Sequence, residues 1–185
     1  MLSGLSLSQI DGDNMQGYDH SGYFGGLRSS AIITEKFEFQ IELLYNRRGS
    51  ENKGRHTLMK TRSIKADYAE INLLLAIKDW YNPFRKLYRL QLFGGASLGR
   101  LTKVQAIDDA EGEILFTQLI PEMNNRDLSV VVGGAYFINQ NMALGFRFSR
   151  SLSLLFDASK SIYSDAKVKN MQGYFIGLYG QYMFY

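Results

Sequence analysis

Hydrophobic and polar residues alternate with a period of two along most of the chain, which is the pattern of β-strands whose two faces meet different surroundings. Between Phe37 and Arg48, the odd positions as far as Tyr45 are apolar, whereas the even positions include Glu38 and Glu42. Seven more segments alternate in the same way, so the pattern predicts eight strands in all. The predicted segments are 5–8, 23–33, 37–48, 68–77, 88–98, 128–138, 142–149 and 174–184.

The connections between these segments alternate strictly between short and long. Short turns follow the second, fourth and sixth segments, at residues 34–36, 81–86 and 139–141. Long loops follow the first, third, fifth and seventh segments, at residues 10–19, 49–60, 103–126 and 157–170. In an up-and-down meander, this order puts the short turns and both termini at one end. Bacterial outer-membrane barrels have this layout, with periplasmic turns and extracellular loops.

Together, these features predict an all-β, eight-stranded antiparallel up-and-down transmembrane β-barrel, with residues 1–185 as one domain. We expect it in the bacterial outer membrane with both termini in the periplasm. A soluble ligand-binding barrel of the lipocalin or streptavidin kind is the alternative, and it would turn its apolar residues inward and its charges outward.

The polar face favours the membrane barrel. An eight-stranded lumen is only wide enough for side chains to fill it, and the polar face holds three acids and three bases that would balance there as an ion-pair network. These residues are Arg28, Glu38, Glu42, Glu70, Arg89 and Arg147. Aromatic residues near the strand ends resemble the girdles of membrane barrels, and the terminal Tyr182–Tyr185 resembles an outer-membrane assembly signal.

The composition removes several classes of function. The chain has no cysteine, which excludes disulfides, thiolate metal sites and cysteine nucleophiles, and His20 and His56 are its only imidazoles. No run approaches the roughly 18 consecutive apolar residues of a membrane helix. Residues 1–3 have neither the basic nor the apolar region of a signal peptide. We therefore expect either a cytoplasmic chain or a mature form that has lost its targeting segment.

The first long loop begins with a partial match to a calcium loop. The segment Asp11–Asn14 carries oxygen ligands with the spacing of the first half of such a loop. Met15 and Gly22 then stand where two further oxygen ligands belong. No metal or cofactor site is therefore predicted.

A second motif bears on catalysis. Asp19, His20 and Ser21 are neighbours at the end of the same loop, and lipid-modifying barrels use a serine, a histidine and an acid near the extracellular rim. Adjacent side chains on an extended backbone point in different directions, so no catalytic residue is assigned. An enzyme acting on lipids of the outer leaflet is kept as an alternative function.

Charge is distributed unevenly between two long loops. Residues 47–65 hold seven bases and one acid, and residues 105–122 hold five acids and no base. Solvated charge, pairing between the loops, binding of lipopolysaccharide phosphates and docking of a partner protein are the alternatives. The bases of this candidate interaction surface are Arg47, Arg48, Lys53, Arg55, Lys60, Arg62 and Lys65. Nucleic acid is not an expected partner, because the net charge is only +3 and an acidic loop faces the basic one.

The first part of the chain also resembles a known family. Gly4–Asp13, followed by Gly17–Gly22, is similar to the start of the PorT family of small outer-membrane barrels from Bacteroidota. Glu35–Tyr45 resembles its second hairpin, and Tyr68–Leu75 resembles its fourth strand, with Asn72 in place of the family's usual proline. The resemblance implies an outer-membrane location and a link to type IX protein secretion.

The leading expectation is a non-catalytic structural or accessory protein of the envelope. Outer-membrane lipid or lipopolysaccharide, and an envelope or secretion-system protein, are its expected partners. A channel is the least favoured role, because an eight-stranded barrel is too narrow for a water-filled pore.

Overall fold

The computed structural model describes residues 1–11, 20–52, 62–108, 120–156 and 170–184. The strands are β1 (Leu2–Asp11), β2 (His20–Ile32), β3 (Phe37–Asn52), β4 (Arg62–Asn82), β5 (Leu87–Asp108), β6 (Arg126–Phe137), β7 (Met142–Ser151) and β8 (Gln172–Tyr182). They form a closed antiparallel barrel in which each strand pairs with the next and β8 pairs with β1. A 3-10 helix covers Ile120–Glu122. The predicted fold class is confirmed.

The short turns lie within two residues of their predicted positions, at 33–36, 83–86 and 138–141. The barrel wall closes with Leu2 opposite Gln181 and Asp11 opposite Gln172. The amino group of Met1 donates to the carbonyl oxygen of Tyr182 at 2.7 Å. These turns therefore share one end of the barrel with Met1 and Tyr182, called here the short-turn end, and the opposite end is called the loop end. Among the described residues, no helix is long and apolar enough to cross a membrane.

Alternation along the strands turns apolar side chains outward. On β4, Ile71, Leu73 and Leu75 are 47%, 43% and 61% exposed, whereas Asn72 and Leu74 between them are buried. Every strand contributes such residues to an apolar belt around the barrel. One exposed member from each strand, in order, is Leu5, Leu27, Leu43, Leu73, Leu92, Val130, Phe146 and Leu178. A soluble barrel would bury these side chains and expose its charges, so the faces support the membrane barrel and not the soluble alternative.

Strands β3, β4 and β5 extend further towards the loop end than the sequence pattern predicts. β3 continues to Asn52 and β5 to Asp108, past the predicted loop starts at residues 49 and 103. β4 and β5 reach 21 and 22 residues, about twice the length that crosses a bilayer. The pattern ends early because the outward residues turn from apolar to charged, as at Arg47 and Arg100, while backbone pairing continues.

Glycine makes room for aromatic rings inside the narrow lumen. At Gly145 on β7, a Cβ atom would lie 2.3 Å from Cζ of Tyr179. At Gly177 on β8, a Cβ atom would lie 2.6 Å from Cε1 of Phe24. Both distances are well inside van der Waals contact, so each ring occupies the space that a side chain at the glycine would need.

Replacing Gly145 by alanine is expected to lower the free energy of unfolding by about 1–3 kcal/mol, because the added methyl group overpacks the lumen. Gly180→Ala is the matched control on the adjacent strand, since a Cβ atom there meets nothing within 4 Å. Urea titration of the barrel in lipid vesicles, followed by the fluorescence of the single tryptophan, measures both variants. Equal stability of the two variants would contradict the described packing of the lumen.

Candidate functional site

The centre of the lumen is occupied by one carboxylate between two guanidinium groups. Nε of Arg28 donates to Oε1 of Glu42 at 2.7 Å. Arg147 donates to the same carboxylate from Nη2 at 2.9 Å and from Nη1 at 3.1 Å. Asn72 adds a hydrogen bond from Nδ2 to Oε2 of Glu42 at 2.7 Å. The structure thus brings together three residues of the predicted lumen network, and Arg28, Glu42 and Arg147 are called the central triad.

Strand register positions the central triad. Arg28 on β2 is directly opposite Glu42 on β3, and Glu42 is directly opposite Asn72 on β4. Arg147 reaches the same carboxylate from β7 on the far side of the lumen, and both Glu42 and Arg147 are 0% exposed. Cζ of Arg147 also lies 5.1 Å from the ring centre of Tyr179. Pairing, hydrogen bonds and cation–π contact together offset the cost of burying these charges.

A second ion group lies nearer the loop end. Arg48 forms ion pairs with Glu70 and, at 2.9 Å, with Asp127. Its Cζ lies 4.7 Å from the ring centre of Phe175, and all four side chains are buried. The sequence predicts Arg48 among the surface bases, and this prediction is wrong because Arg48 is buried. The reason is parity along β3, because Arg48 shares the inward row of Glu42 and Arg47 does not.

Glu38 makes a separate pairing towards the short-turn end. Lys78 approaches it to 2.8 Å, and Nε2 of Gln91 donates to it at 2.9 Å. These residues line a cavity of about 1570 Å³, called the vestibule, which opens at the short-turn end. Lys78 is not among the predicted lumen residues, although it continues the inward row of β4 one position beyond Ile77, the last apolar residue of the predicted strand.

Arg89 is the only one of the six predicted lumen charges for which the described residues show no ion pair. Its Nη1 donates to the hydroxyl of Tyr136 at 2.8 Å, and Tyr136 belongs to the outward row of β6. The cause lies at Trp80, whose φ of 58° breaks the regular alternation of β4 close to this point. The exposed indole of Trp80 packs against the ring of Tyr136 with 6.2 Å between centres. Arg89 therefore joins an aromatic cluster on the outer surface at the short-turn end.

Apolar side chains close the lumen beyond the Arg48 group. They come from β1, β4, the 120–156 region and the start of the last described segment, and they form one buried cluster, called the apolar cap. Its members are Ile10, Ile64, Met123, Leu155, Phe156 and Met171. Leu101 and Val104 of β5 pack against this cluster from the barrel wall. Three successive levels of the lumen are therefore filled with side chains: the central triad, the Arg48 group and the apolar cap.

The predicted basic surface is described only in part. Arg47 lies on the outside of the barrel, where its guanidinium binds both carboxylate oxygens of Asp67 at 2.6 and 2.8 Å. Its Cζ lies 5.3 Å from the ring centre of Tyr23, and Lys65 is half-buried on β4. Lys53, Arg55 and Lys60 lie outside the described residues, and Arg62 is described only as the first residue of β4. The acidic segment 109–113 also lies outside them, so pairing between the two loops stays a prediction.

The residues considered for catalysis and metal binding do not form a site in the described part of the chain. His20 is buried at the start of β2, whereas its neighbour Ser21 is exposed, so the two side chains lie on opposite faces of the barrel wall. Asp19 and His56 lie outside the described residues. Within those residues, no group of three histidine, aspartate or glutamate side chains is arranged to hold a metal ion.

Solved structures share this architecture. Ail, the attachment invasion locus protein of Yersinia pestis, crystallised in complex with the heparin analogue sucrose octasulfate, matches with a TM-score of 0.52 at 12% identity. Neisserial surface protein A matches with a TM-score of 0.50 at 15% identity. Each match covers 99% of this chain and 95% of the other. At these identities the likeness is one of fold alone, and no curated protein matches the chain.

The sequence itself matches a family model, described as the outer membrane protein beta-barrel domain, over residues 2–157. The match covers most of the chain and includes the strands that supply all three members of the central triad. Its description agrees with the outward apolar belt and the inward charges. The chain therefore belongs to the outer membrane protein beta-barrel domain family.

Proposed function

We propose that the protein is a non-catalytic structural or accessory component of the bacterial envelope. The observation that carries this proposal is the filled lumen, in which the central triad, the Arg48 group and the apolar cap occupy successive levels. An eight-stranded barrel has room for side chains but not for a water-filled pore. A barrel filled in this way is suited to holding loops and turns at the two membrane surfaces rather than to conducting solute.

The described residues give little support to the alternative, a lipid-modifying enzyme. Catalysis of that kind needs a nucleophile and a base within hydrogen-bond reach of each other. His20 is buried, and Ser21 next to it is exposed on the other face of the wall. The proposal therefore assigns no catalytic residue.

The proposed orientation places the short-turn end and both termini in the periplasm and the loop end outside the cell. Outer-membrane barrels have short periplasmic turns and longer extracellular loops, and the turns of this chain at 33–36, 83–86 and 138–141 all lie at one end. The vestibule then opens to the periplasm. The bases of the 47–65 segment other than the buried Arg48 are proposed to meet lipopolysaccharide or a partner protein outside.

The orientation can be tested with single cysteines, because the natural chain has none. Asn125→Cys is exposed at the loop end, and Phe84→Cys replaces a side chain that is 96% exposed in a short turn. A membrane-impermeant maleimide should label Asn125→Cys in intact cells and Phe84→Cys only after the outer membrane is permeabilised. The reverse pattern would overturn the proposed orientation.

The resemblance of the first part of the chain to the PorT family supports a finer proposal, that the protein assists type IX secretion. A secretion-system partner in the periplasm would meet the vestibule, which presents Lys36, Lys78 and Lys86 together with Glu35 and Glu38. Such a mixed-charge, partly aromatic surface suits a polar protein segment.

Deleting the gene should therefore reduce the amount of type IX cargo in the culture medium, and the wild-type gene should restore it. Quantitative mass spectrometry of the medium measures the effect. An unrelated outer-membrane protein, assayed for its amount in the same cells, controls for general damage to the envelope. An unchanged amount of cargo in the medium of the deletion strain would contradict the proposed link to type IX secretion. It would not contradict the proposed structural role.

A further inference from the structure

Two arginines face each other on the outside of the barrel at the border of the apolar belt. Arg100 on β5 is directly opposite Arg126 on β6, and both are exposed. In each outward row the next residue towards the short-turn end is a leucine, Leu98 at 57% exposure and Leu128 at 43%. The two arginines therefore occupy the first outward positions beyond the belt on these strands.

The strand register brings the two side chains close. The amide of Leu101 donates to the carbonyl oxygen of Asn125 at 2.9 Å, which makes these two residues a hydrogen-bonded pair. The adjoining pair, Arg100 and Arg126, is then of the non-hydrogen-bonded kind, in which the side chains lie closer. Their Cβ atoms are expected to be about 5 Å apart.

The pair has no counter-charge in the described part of the chain. Neither guanidinium forms an ion pair or hydrogen bond there. The nearest acid in sequence, Asp127, points into the lumen and is engaged by Arg48. Like charges directly opposite each other destabilise a sheet. Arg47, by contrast, has its own carboxylate on the outer surface, that of Asp67.

We propose that Arg100 and Arg126 form a binding site for a phosphate group of lipid A, the membrane anchor of lipopolysaccharide. Guanidinium groups bind phosphate through paired N–H donors, and a dianion between the two would replace repulsion with attraction. The position beside the apolar belt is the level at which lipid phosphates lie. Arg150 on β7, directly opposite Val130 of the belt, is also exposed and adds positive charge to this side of the barrel.

The site rests on the proposed orientation, because lipid A belongs to the outer leaflet and the pair lies at the loop end. A phosphate from a phospholipid offers the same chemistry with a single phosphodiester charge. We choose lipid A because a monoester phosphate carries more charge and more acceptor oxygens than a diester. Two arginines supply the matching positive charge and N–H donors.

The test measures binding of bisphosphorylated lipid A to the full chain in zwitterionic detergent micelles by microscale thermophoresis. Arg100→Gln combined with Arg126→Gln should weaken binding about tenfold or more. Lys36→Gln combined with Lys86→Gln is the control, since it removes the same charge from the short-turn end, and it should retain wild-type affinity. Dephosphorylated lipid A should bind the wild type weakly, with the same affinity that the double arginine variant has for intact lipid A.

A second readout separates a ligand site from a structural role. Without lipid A, Arg126→Gln should shift the urea midpoint of unfolding upward, because it removes the repulsion with Arg100. With lipid A added, the wild type should gain more stability than the variant. If the two arginines served only the fold, Arg126→Gln would instead lower the urea midpoint of unfolding.

Three results would overturn the proposal. The first is unchanged lipid A affinity in the double arginine variant, or an equal loss in the lysine control. The second is phosphatidylglycerol binding as tightly as lipid A with the same dependence on the two arginines. The third is a loss of stability in the combined variant Asp109→Asn, Glu111→Gln and Glu113→Gln that is absent when the two arginines are also replaced. That result would make the acidic loop, and not lipid A, the partner of the two arginines. Cysteine labelling tests the orientation independently, so a failed site and a failed orientation can be told apart.

Discussion

The carboxylate of Glu42 is the point on which the interior of this barrel depends. It accepts hydrogen bonds from Arg28, Arg147 and Asn72, and it has no exposure to solvent. Burying a charge is costly unless it is paired and hydrogen-bonded, and removing one partner of a buried group leaves the others uncompensated. Because the partners come from β2, β4 and β7, one side chain of β3 couples strands on both sides of the lumen.

The outer surface obeys a different constraint. Lipid offers no hydrogen bonds, so the belt must be apolar and the backbone must be satisfied by strand pairing alone. The strands continue past the belt at the loop end, where their outward residues become Arg47, Asp67, Arg100 and Arg126. The same strands thus carry two outer surfaces, an apolar one that contacts lipid and a charged one beyond it. The filled lumen keeps both in fixed positions, which is what the proposed structural or accessory role requires.

Much of this fold is readable from the sequence, because a period of two assigns every strand residue to one of two faces. The eight strands, the three short turns and the inward placement of Arg28, Glu42 and Arg147 follow from that rule. Arg48 could have been placed in the lumen by the same parity, had its charge not been grouped with that of Arg47. The outward position of Arg89 could not have been predicted, because the left-handed backbone at Trp80 interrupts the alternation and no residue type signals it.

The strand extensions at the loop end also could not be predicted from the sequence. The strands were predicted from an apolar outer row. Beyond the belt the outer row becomes polar, while apolar residues such as Ile64 lie on the inner row and the hydrogen-bonded ladder continues. Pairing across the lumen, such as Arg48 with Asp127, also joins residues far apart in sequence. A pattern along one strand cannot show which opposite strand supplies the partner.

The most direct measurement is the free energy of unfolding of Glu42→Gln in lipid vesicles, compared with Glu35→Gln in an exposed short turn. The glutamine at position 42 keeps the shape of the side chain but removes the charge shared by two buried guanidinium groups. The account predicts a loss of about 3–5 kcal/mol for Glu42→Gln and no measurable loss for Glu35→Gln. Equal stability of the two variants would contradict the claim that this carboxylate holds the lumen together.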